Sequence, residues 1–237
     1  MLGVSLSNSF DRPTAVSHLF HWIANHPDYA GQVDTSAVET LLQQINEQGP
    51  IEPLTHELNQ ATIQMFVDAA KINEQDAELQ TVLGVLYHIN RDFQNSISAF
   101  TAAVKLQPNN PELWNKLGAA IANGGRHEDA TRFYVQALQL RPNYLRAQVN
   151  YGTAYYNLQA YHKAFPIFLN TILTSPDAKF SKTPQPHLWP MLRQSFAMCQ
   201  LPALADATMM RDIDLLKQAM KDNGMSADGT VAPEFKQ

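Results

Sequence analysis

The sequence predicts an all-α solenoid of stacked helix hairpins closed by a C-terminal helical cap, and three observations predict it. Gly84, Gly118 and Gly152 follow one another at intervals of 34 residues. Pro108, Pro142 and Pro176 keep the same interval. Between them, Phe100, Tyr134 and Phe168, and the small residues Ser96, Ala130 and Ala164, recur in step. Columns that share one interval mark an internal repeat, and repeats of this length stack into solenoids.

Each column has a physical reason. Glycine and the small residue let the two helices of a hairpin approach closely, and the aromatic is expected to fill the gap against the next hairpin. Proline ends the second helix because it cannot continue the hydrogen-bond ladder. Interval and column order match the tetratricopeptide (TPR) helix–turn–helix unit, so the expected architecture is a right-handed TPR superhelix without β-sheet. Three regular repeats are read at 77–110, 111–144 and 145–178, together 77–178. In each, helix A takes about the first 14 positions and helix B starts near position 18. The connections are the turn sequences Asn90-Arg91-Asp92, Asn123-Gly124-Gly125 and Asn157-Leu158-Gln159.

The register extends towards the N-terminus. Leu2-Gly3, Ala15 and Pro27 stand where the columns of another repeat fall, which places a truncated repeat at 1–30 and implies that the chain starts inside a structural unit. The stretch 28–76 does not repeat cleanly. Ser36 to Gln48 reads as an amphipathic helix broken at Gly49-Pro50, and Leu54 to Asn73 reads as a second, with Phe66 and Ala69 in the helix B columns. A degenerate, hinge-like repeat is therefore placed at 31–76, interrupted at Gly49-Pro50 and Pro53. A polar linker covers 179–186. Capping helices are expected over 187–223, as His187 to Gln200 and Ala203 to Asn223, before a flexible tail at 224–237. Pro166, early in the third helix B, should bend that helix without breaking it.

Composition narrows the function. The 237 residues carry 17 Lys and Arg against 22 Asp and Glu, a net charge of −5, which argues against a general nucleic-acid or anionic-membrane binder. With 45% hydrophobic and 16% charged residues, the chain is too apolar for disorder. The single cysteine, Cys199, rules out an internal disulfide and a multi-cysteine zinc site. No cofactor or metal is expected, and the start of the chain lacks the marks of a secretory signal peptide.

In a TPR stack the inner face is formed by helix A positions 2, 5, 6, 9, 12 and 13. Those columns hold Arg146 at position 2, Asn115-Lys116 and Val149-Asn150 at 5 and 6, Ala119 and Thr153 at 9, and Asn8, Ile89, Asn123 and Asn157 at 13. Asparagine offers both donor and acceptor, as pairing with a peptide backbone requires. Lys116 and Arg146 add positive charge, on a wall expected to be free of acid in these two repeats. Together they suit an extended peptide ending in a carboxylate. A solvated polar face, with Asn123 and Asn157 as simple caps, is the competing reading. Elsewhere the chemistry is thinner. His18 and His21 lack a third ligand at matched spacing, Asn123-Gly124-Gly125 lacks the lysine and serine of a phosphate loop, and Trp22, Trp114 and Trp189 stand at core positions. Cys199 reads as a buried thiol, and no nucleophile–base–orienter set is present, so an enzyme is not expected.

The run Leu113-Trp-Asn-Lys-Leu-Gly-Ala-Ala-Ile-Ala-Asn-Gly-Gly-Arg126, followed by Arg146 and by Asn150 and Asn157, resembles the peroxisomal import receptors that take cargo ending in a Ser-Lys-Leu type signal. The resemblance runs from Leu2 to about Lys217, including the segment around Trp189 and Leu192. It implies cargo contacts at Asn115, Asn123, Asn150 and Asn157, attraction of the carboxylate end by Lys116 and Arg146, and a peripheral contact at Asn8. It equates 28–76 with a hinge-like fourth repeat. It also implies matrix-cargo C-termini as partners, peroxisomal docking proteins reached through an N-terminal region that this sequence lacks, and a cytoplasmic protein cycling to the peroxisomal membrane. The family's first two repeats are not represented, so one groove wall is expected here. The alternative is a co-chaperone or scaffold TPR that holds another C-terminal peptide, such as Glu-Glu-Val-Asp. That clamp calls for several Lys or Arg at positions 2, 5 and 6, where asparagines dominate.

Overall fold

The computed structural model describes residues 12–49, 52–175 and 185–225. Among them lie twelve helices and no strand. The first three are α1 (Arg12–Asn25), α2 (Ser36–Gln48) and α3 (Glu52–Ile72). Three hairpins follow: α4 (Ala77–Ile89) with α5 (Phe93–Leu106), α6 (Pro111–Asn123) with α7 (His127–Leu140), and α8 (Leu145–Asn157) with α9 (Tyr161–Thr174). Last come α10 (Trp189–Met198), α11 (Pro202–Ala207) and α12 (Ile213–Asp222). No helix among the described residues is long and apolar enough to cross a membrane. The chain divides into two compact units, 1–113 and 114–237.

The 34-residue interval reappears in the backbone of each turn. Arg91, Gly125 and Gln159 adopt φ values of 60°, 84° and 58°. The next amide reaches back to close the helix end: Asp92 to the Tyr87 carbonyl, Arg126 to Ile121 and Ala160 to Tyr155, at 2.9, 3.1 and 2.9 Å. This is the Schellman arrangement, in which a left-handed residue lets the chain satisfy orphan carbonyls as it leaves the helix. Side chains close the other ends. The Asp76 carboxylate accepts from the amides of Glu78 and Leu79 at the start of α4, and Asp92 accepts from Asn95 at the start of α5.

Glycine and aromatic columns meet inside each hairpin. A β-carbon at Gly84, Gly118 or Gly152 would lie 2.6, 2.7 or 2.5 Å from the ring of Phe100, Tyr134 or Phe168, respectively. The aromatic therefore seats on its own hairpin's glycine, a contact not among those expected from the sequence. Ser96, Ala130 and Ala164 are fully buried, and the Ser96 hydroxyl donates to the Gly84 carbonyl at 2.8 Å.

In the first unit, α1 has the length of a helix B. Trp22, half-buried, stacks on buried Phe66 with ring centres 6.0 Å apart and planes 7° from parallel. Buried Tyr29 donates its hydroxyl to Asp76 at 2.7 Å, tying the segment after α1 to the cap of α4. Helix α2 stops at Gly49, with φ 85°. Pro53 interrupts nothing: it stands in the first turn of α3, where a missing N–H is tolerated.

In the second unit, α9 runs through Pro166 as one helix. Phe165, Phe168 and Ile172 pack into a shared core with Trp189, Leu192, Phe196 and Leu216, so α10 to α12 close the apolar end of the last hairpin. The expected helix from Ala203 to Asn223 is two helices, α11 and α12. Thr208 turns its hydroxyl onto the Ala205 carbonyl at 2.6 Å, Arg211 adopts φ 50°, and Asp212 caps α12 by accepting from Asp214 and Leu215. The expected tail at 224–237 also begins later. Gly224 turns with φ 71°, and Met225 is buried, its amide bonded to the Met220 carbonyl at 2.9 Å. Residues 226–237 lie outside the described residues, as do Leu2, Gly3, Asn8 and most of the expected 179–186 linker.

Candidate functional site

The described candidate residues come from α6 and α8, the A helices of the second and third hairpins, and all of them lie beyond residue 113, in the second unit. On α8, Arg146, Asn150, Thr153 and Asn157 are spaced four, three and four apart, which aligns them on one face. At 1.5 Å per residue that stripe is about 16 Å long, enough to run beside about five residues of extended peptide. Arg146 and Asn157, at its ends, are exposed; Asn150 and Thr153 are half-buried.

The neighbouring helix meets this stripe at one point. The Asn150 side-chain amide (Nδ2) donates to the Asn115 carbonyl oxygen (Oδ1) at 2.9 Å. Asn115 is only 3% exposed, so it sits at the seam between the helices and not on the groove surface. This modifies the expected role of Asn115 as a direct contact: its carbonyl oxygen already accepts a bond from Asn150. Asn150 keeps its own carbonyl oxygen and a second amide hydrogen for other partners. Lys116 is half-buried and Asn123 exposed, and each has an interaction of its own within the fold.

Arg146 is the electrostatic anomaly. It occupies the second residue of α8, where the helix dipole disfavours a cation by about 0.3–1 kcal/mol. The matching residues of α4 and α6 are Glu78 and Glu112, which suit that dipole. The acid-free column expected from the sequence thus fails at Glu112, and the reversal to arginine belongs to the third hairpin. Among the described residues Arg146 has no ion-pair partner. A helix N-terminus and a guanidinium at one end of a polar stripe give that end a positive potential, which would suit an anion.

Sequence reasoning missed the tyrosines. Tyr156, at position 12 of the third repeat, donates its hydroxyl to Gln194 Oε1 on α10, tying the groove helix to the C-terminal cap. Tyr151 and Tyr155 pair their hydroxyls at 3.3 Å, and burial together with that bond pushes the Tyr151 phenol up to about 12. Column 12 was the available signal, because it places a tyrosine where the preceding repeat has Ala122.

The other candidates fall elsewhere. His18 and His21 are exposed on α1, and no group of three metal-ligating side chains occurs among the described residues. Trp189 is fully buried, whereas Trp114 is half-buried against Phe133 at 6.1 Å. Cys199 is half-buried, and burial pushes its thiol up, away from the reactive thiolate.

Comparison with known proteins follows the same lines. Residues 77–110 and 99–132 each match a model described as tetratricopeptide repeat. The chain also resembles two crystal structures of MamA. One is 17% identical with a TM-score of 0.56, covering 72% of this chain and 91% of that one. The other is 14% identical with a TM-score of 0.59, covering 84% and 100%. The fold class is an all-α tetratricopeptide-repeat solenoid. A third similar structure, titled "Crystal structure of YrrB: a TPR protein with an unusual peptide-binding site", is 13% identical with a TM-score of 0.51, covering 81% of this chain and 97% of that one. Among curated proteins, Peroxisome biogenesis protein 5 of Arabidopsis thaliana is 35% identical over 101 residues, or 41% of this chain. The match spans 11% of that relative's length.

Proposed function

We propose that this chain is a cargo-recognition module that binds the C-terminal targeting tripeptide, of Ser-Lys-Leu type, of peroxisomal matrix proteins. The observation that carries the reading is the α8 stripe, with Arg146 at its N-terminal end and Asn150 held by Asn115 in its middle. The peptide carboxylate lies at the Arg146 end, with Lys116 adding positive charge from α6. The peptide backbone runs towards Asn157, its amides and carbonyls pairing with Asn150 and Asn157, and Asn123 contributes from the end of α6. Asn8 stands as a peripheral contact. The partial likeness to Peroxisome biogenesis protein 5 supports this ligand class. The module binds and does not catalyse. It works in the cytosol and at the peroxisomal membrane, where docking proteins engage the larger receptor to which such a module belongs.

Fluorescence polarisation with a labelled peptide ending in Ser-Lys-Leu tests the reading, in free-acid and amidated forms and at two salt concentrations. The free acid binds, and amidation removes most of the affinity. Arg146→Ala or Lys116→Ala weakens binding and flattens its salt dependence, because a partly hydrated charge is screened over about 8–10 Å. Asn150→Ala lowers affinity at every salt concentration, through lost short-range bonds worth about 1 kcal/mol each. Equal affinity for the two peptide forms removes the carboxylate from the mechanism. Tighter binding of a Glu-Glu-Val-Asp peptide assigns the groove to co-chaperone work instead.

A further inference from the structure

A second surface feature lies on the C-terminal helices, lined in part by Gln194, the residue that accepts the Tyr156 hydroxyl from α8. A cavity of about 350 Å³ opens between α10 and the turn joining α11 to α12. Its wall on α10 includes Trp189, Arg193 and Ala197, one helical turn apart in succession, and its far wall includes Met209 and Arg211. Trp189 is 1% exposed and forms an apolar base. Met209 is 57% exposed and its neighbour Met210 73%, an unusual display of thioether side chains on one short turn.

Charge is the informative feature. Arg193 and Arg211 come from separate elements, both are exposed, and among the described residues no acidic one lines the cavity. Neither arginine has an ion-pair partner among the described residues. The nearest carboxylate in sequence, Asp212, is turned to the amides of Asp214 and Leu215 as the cap of α12. Two guanidinium groups on the wall of one mixed polar and apolar cavity therefore stand out on a chain whose net charge is −5. The turn that carries Arg211 is also tied down: Thr208 is buried and bonded to Ala205, and the Arg211 amide returns to the Thr208 carbonyl at 3.1 Å.

We infer that this cavity docks a short acidic–aromatic segment of a partner protein, with carboxylates on Arg193 and Arg211 and the aromatic ring against Ala197 and Met209. Arginine is suited to carboxylates by its planar fork, and methionine sulfur makes favourable contacts with aromatic rings while adapting its shape. The volume is at the low end for ligand pockets, about 300–1,000 Å³, so it takes one large side chain and not a whole small molecule. A protein segment is favoured over an anionic membrane, because the cavity is concave and takes a side chain that a flat surface does not present.

The test uses a labelled Gly-Asp-Phe-Glu-Gly peptide with acetylated and amidated ends, which carries no free carboxy terminus for the α8 stripe. Polarisation titrations of the full chain should show saturable binding. Replacing both acidic residues of the peptide by lysine, or Phe by Ala, should weaken it at least about tenfold, as expected for losing one charged hydrogen bond or the ring's burial. The protein variants Arg193→Glu and Arg211→Glu should do the same with unchanged circular dichroism, since both side chains are exposed. Arg146→Ala should leave this peptide unaffected while weakening the Ser-Lys-Leu peptide, so the two readings fail separately. No saturable binding, or equal binding by Arg193→Glu and Arg211→Glu, overturns the inference. Binding to phosphatidylserine vesicles without binding to the peptide overturns it as well and reassigns the surface to membranes.

Discussion

A β-carbon added at Gly84, Gly118 or Gly152 would press into a buried ring at 2.5–2.7 Å, and the ring has no exposed side to retreat to. Gly→Ala in a helix normally gains about 1 kcal/mol from propensity. Overpacking of a tight core costs about 1–3 kcal/mol, and here the clash is with a rigid aromatic, so it wins. Gly118→Ala and Gly152→Ala should lower stability in urea titrations, and pairing Gly118→Ala with Tyr134→Leu should recover part of the loss. The turn column behaves in the opposite sense. Arg91 and Gln159 hold left-handed backbone that Gly125 holds without strain. A left-handed L-residue costs about 1–2 kcal/mol, of which glycine's larger unfolded-state entropy returns about 0.4–1. Arg91→Gly or Gln159→Gly should therefore raise the urea midpoint slightly, and Gly125→Gln should lower it.

Helices here stand on their caps as much as on their faces. Asp212→Ala should cost about 1 kcal/mol, the ordinary value for an N-cap, and should loosen the turn that separates α11 from α12. Asp76→Ala should cost more. Its carboxylate caps α4 and also accepts the hydroxyl of buried Tyr29, and a buried donor left without a partner costs a further ~1–3 kcal/mol. Thermal unfolding of the two variants side by side checks the order, and equal losses would show that the Tyr29 bond contributes nothing. Helix α2 is the weakly held element, because it buries only Val38 and Ile45 along thirteen residues. Its amides should exchange with deuterium faster than those of α6, where Leu113, Leu117, Ala120 and Ile121 are all buried. Comparable protection of the two helices would remove the expectation of a hinge-like segment around 31–76.

For the whole molecule, the tyrosines set the alkaline limit. Burial pushes the phenols of Tyr29 and Tyr134 up, and burial with the Tyr155 hydroxyl pushes Tyr151 up to about 12 from 10.0. The folded state prefers the neutral phenol. Their contribution is therefore fully present below pH 10 and is lost as pH climbs through the raised values, because the unfolded chain ionises first. Tyrosinate absorbance should rise together with helix loss between pH 10 and 12. Tyr134→Phe should move that transition upward while leaving neutral stability nearly unchanged, as Phe100 and Phe168 already fill the same column. Complete tyrosine ionisation with the helices intact would refute this.

The sequence alone determined the helix–turn–helix interval, because glycine, aromatic, small-residue and proline requirements act within one 34-residue unit. Helices A and B consequently recur at 77, 111 and 145 and at 93, 127 and 161. It also pointed to the polar column of α8, since spacing along a single helix fixes which residues share a face. Tertiary structure decided the rest. Whether Asn115 is a surface contact or a buried partner of Asn150 depends on how two helices 34 residues apart lie against each other, and the answer is a 2.9 Å bond at a buried seam. The bond from Tyr156 to Gln194, the break between α11 and α12 and the burial of Met225 likewise follow from packing between segments. Periodicity is local and repeats, so it is legible in one chain. The choice of partner across a seam is a property of the packed molecule.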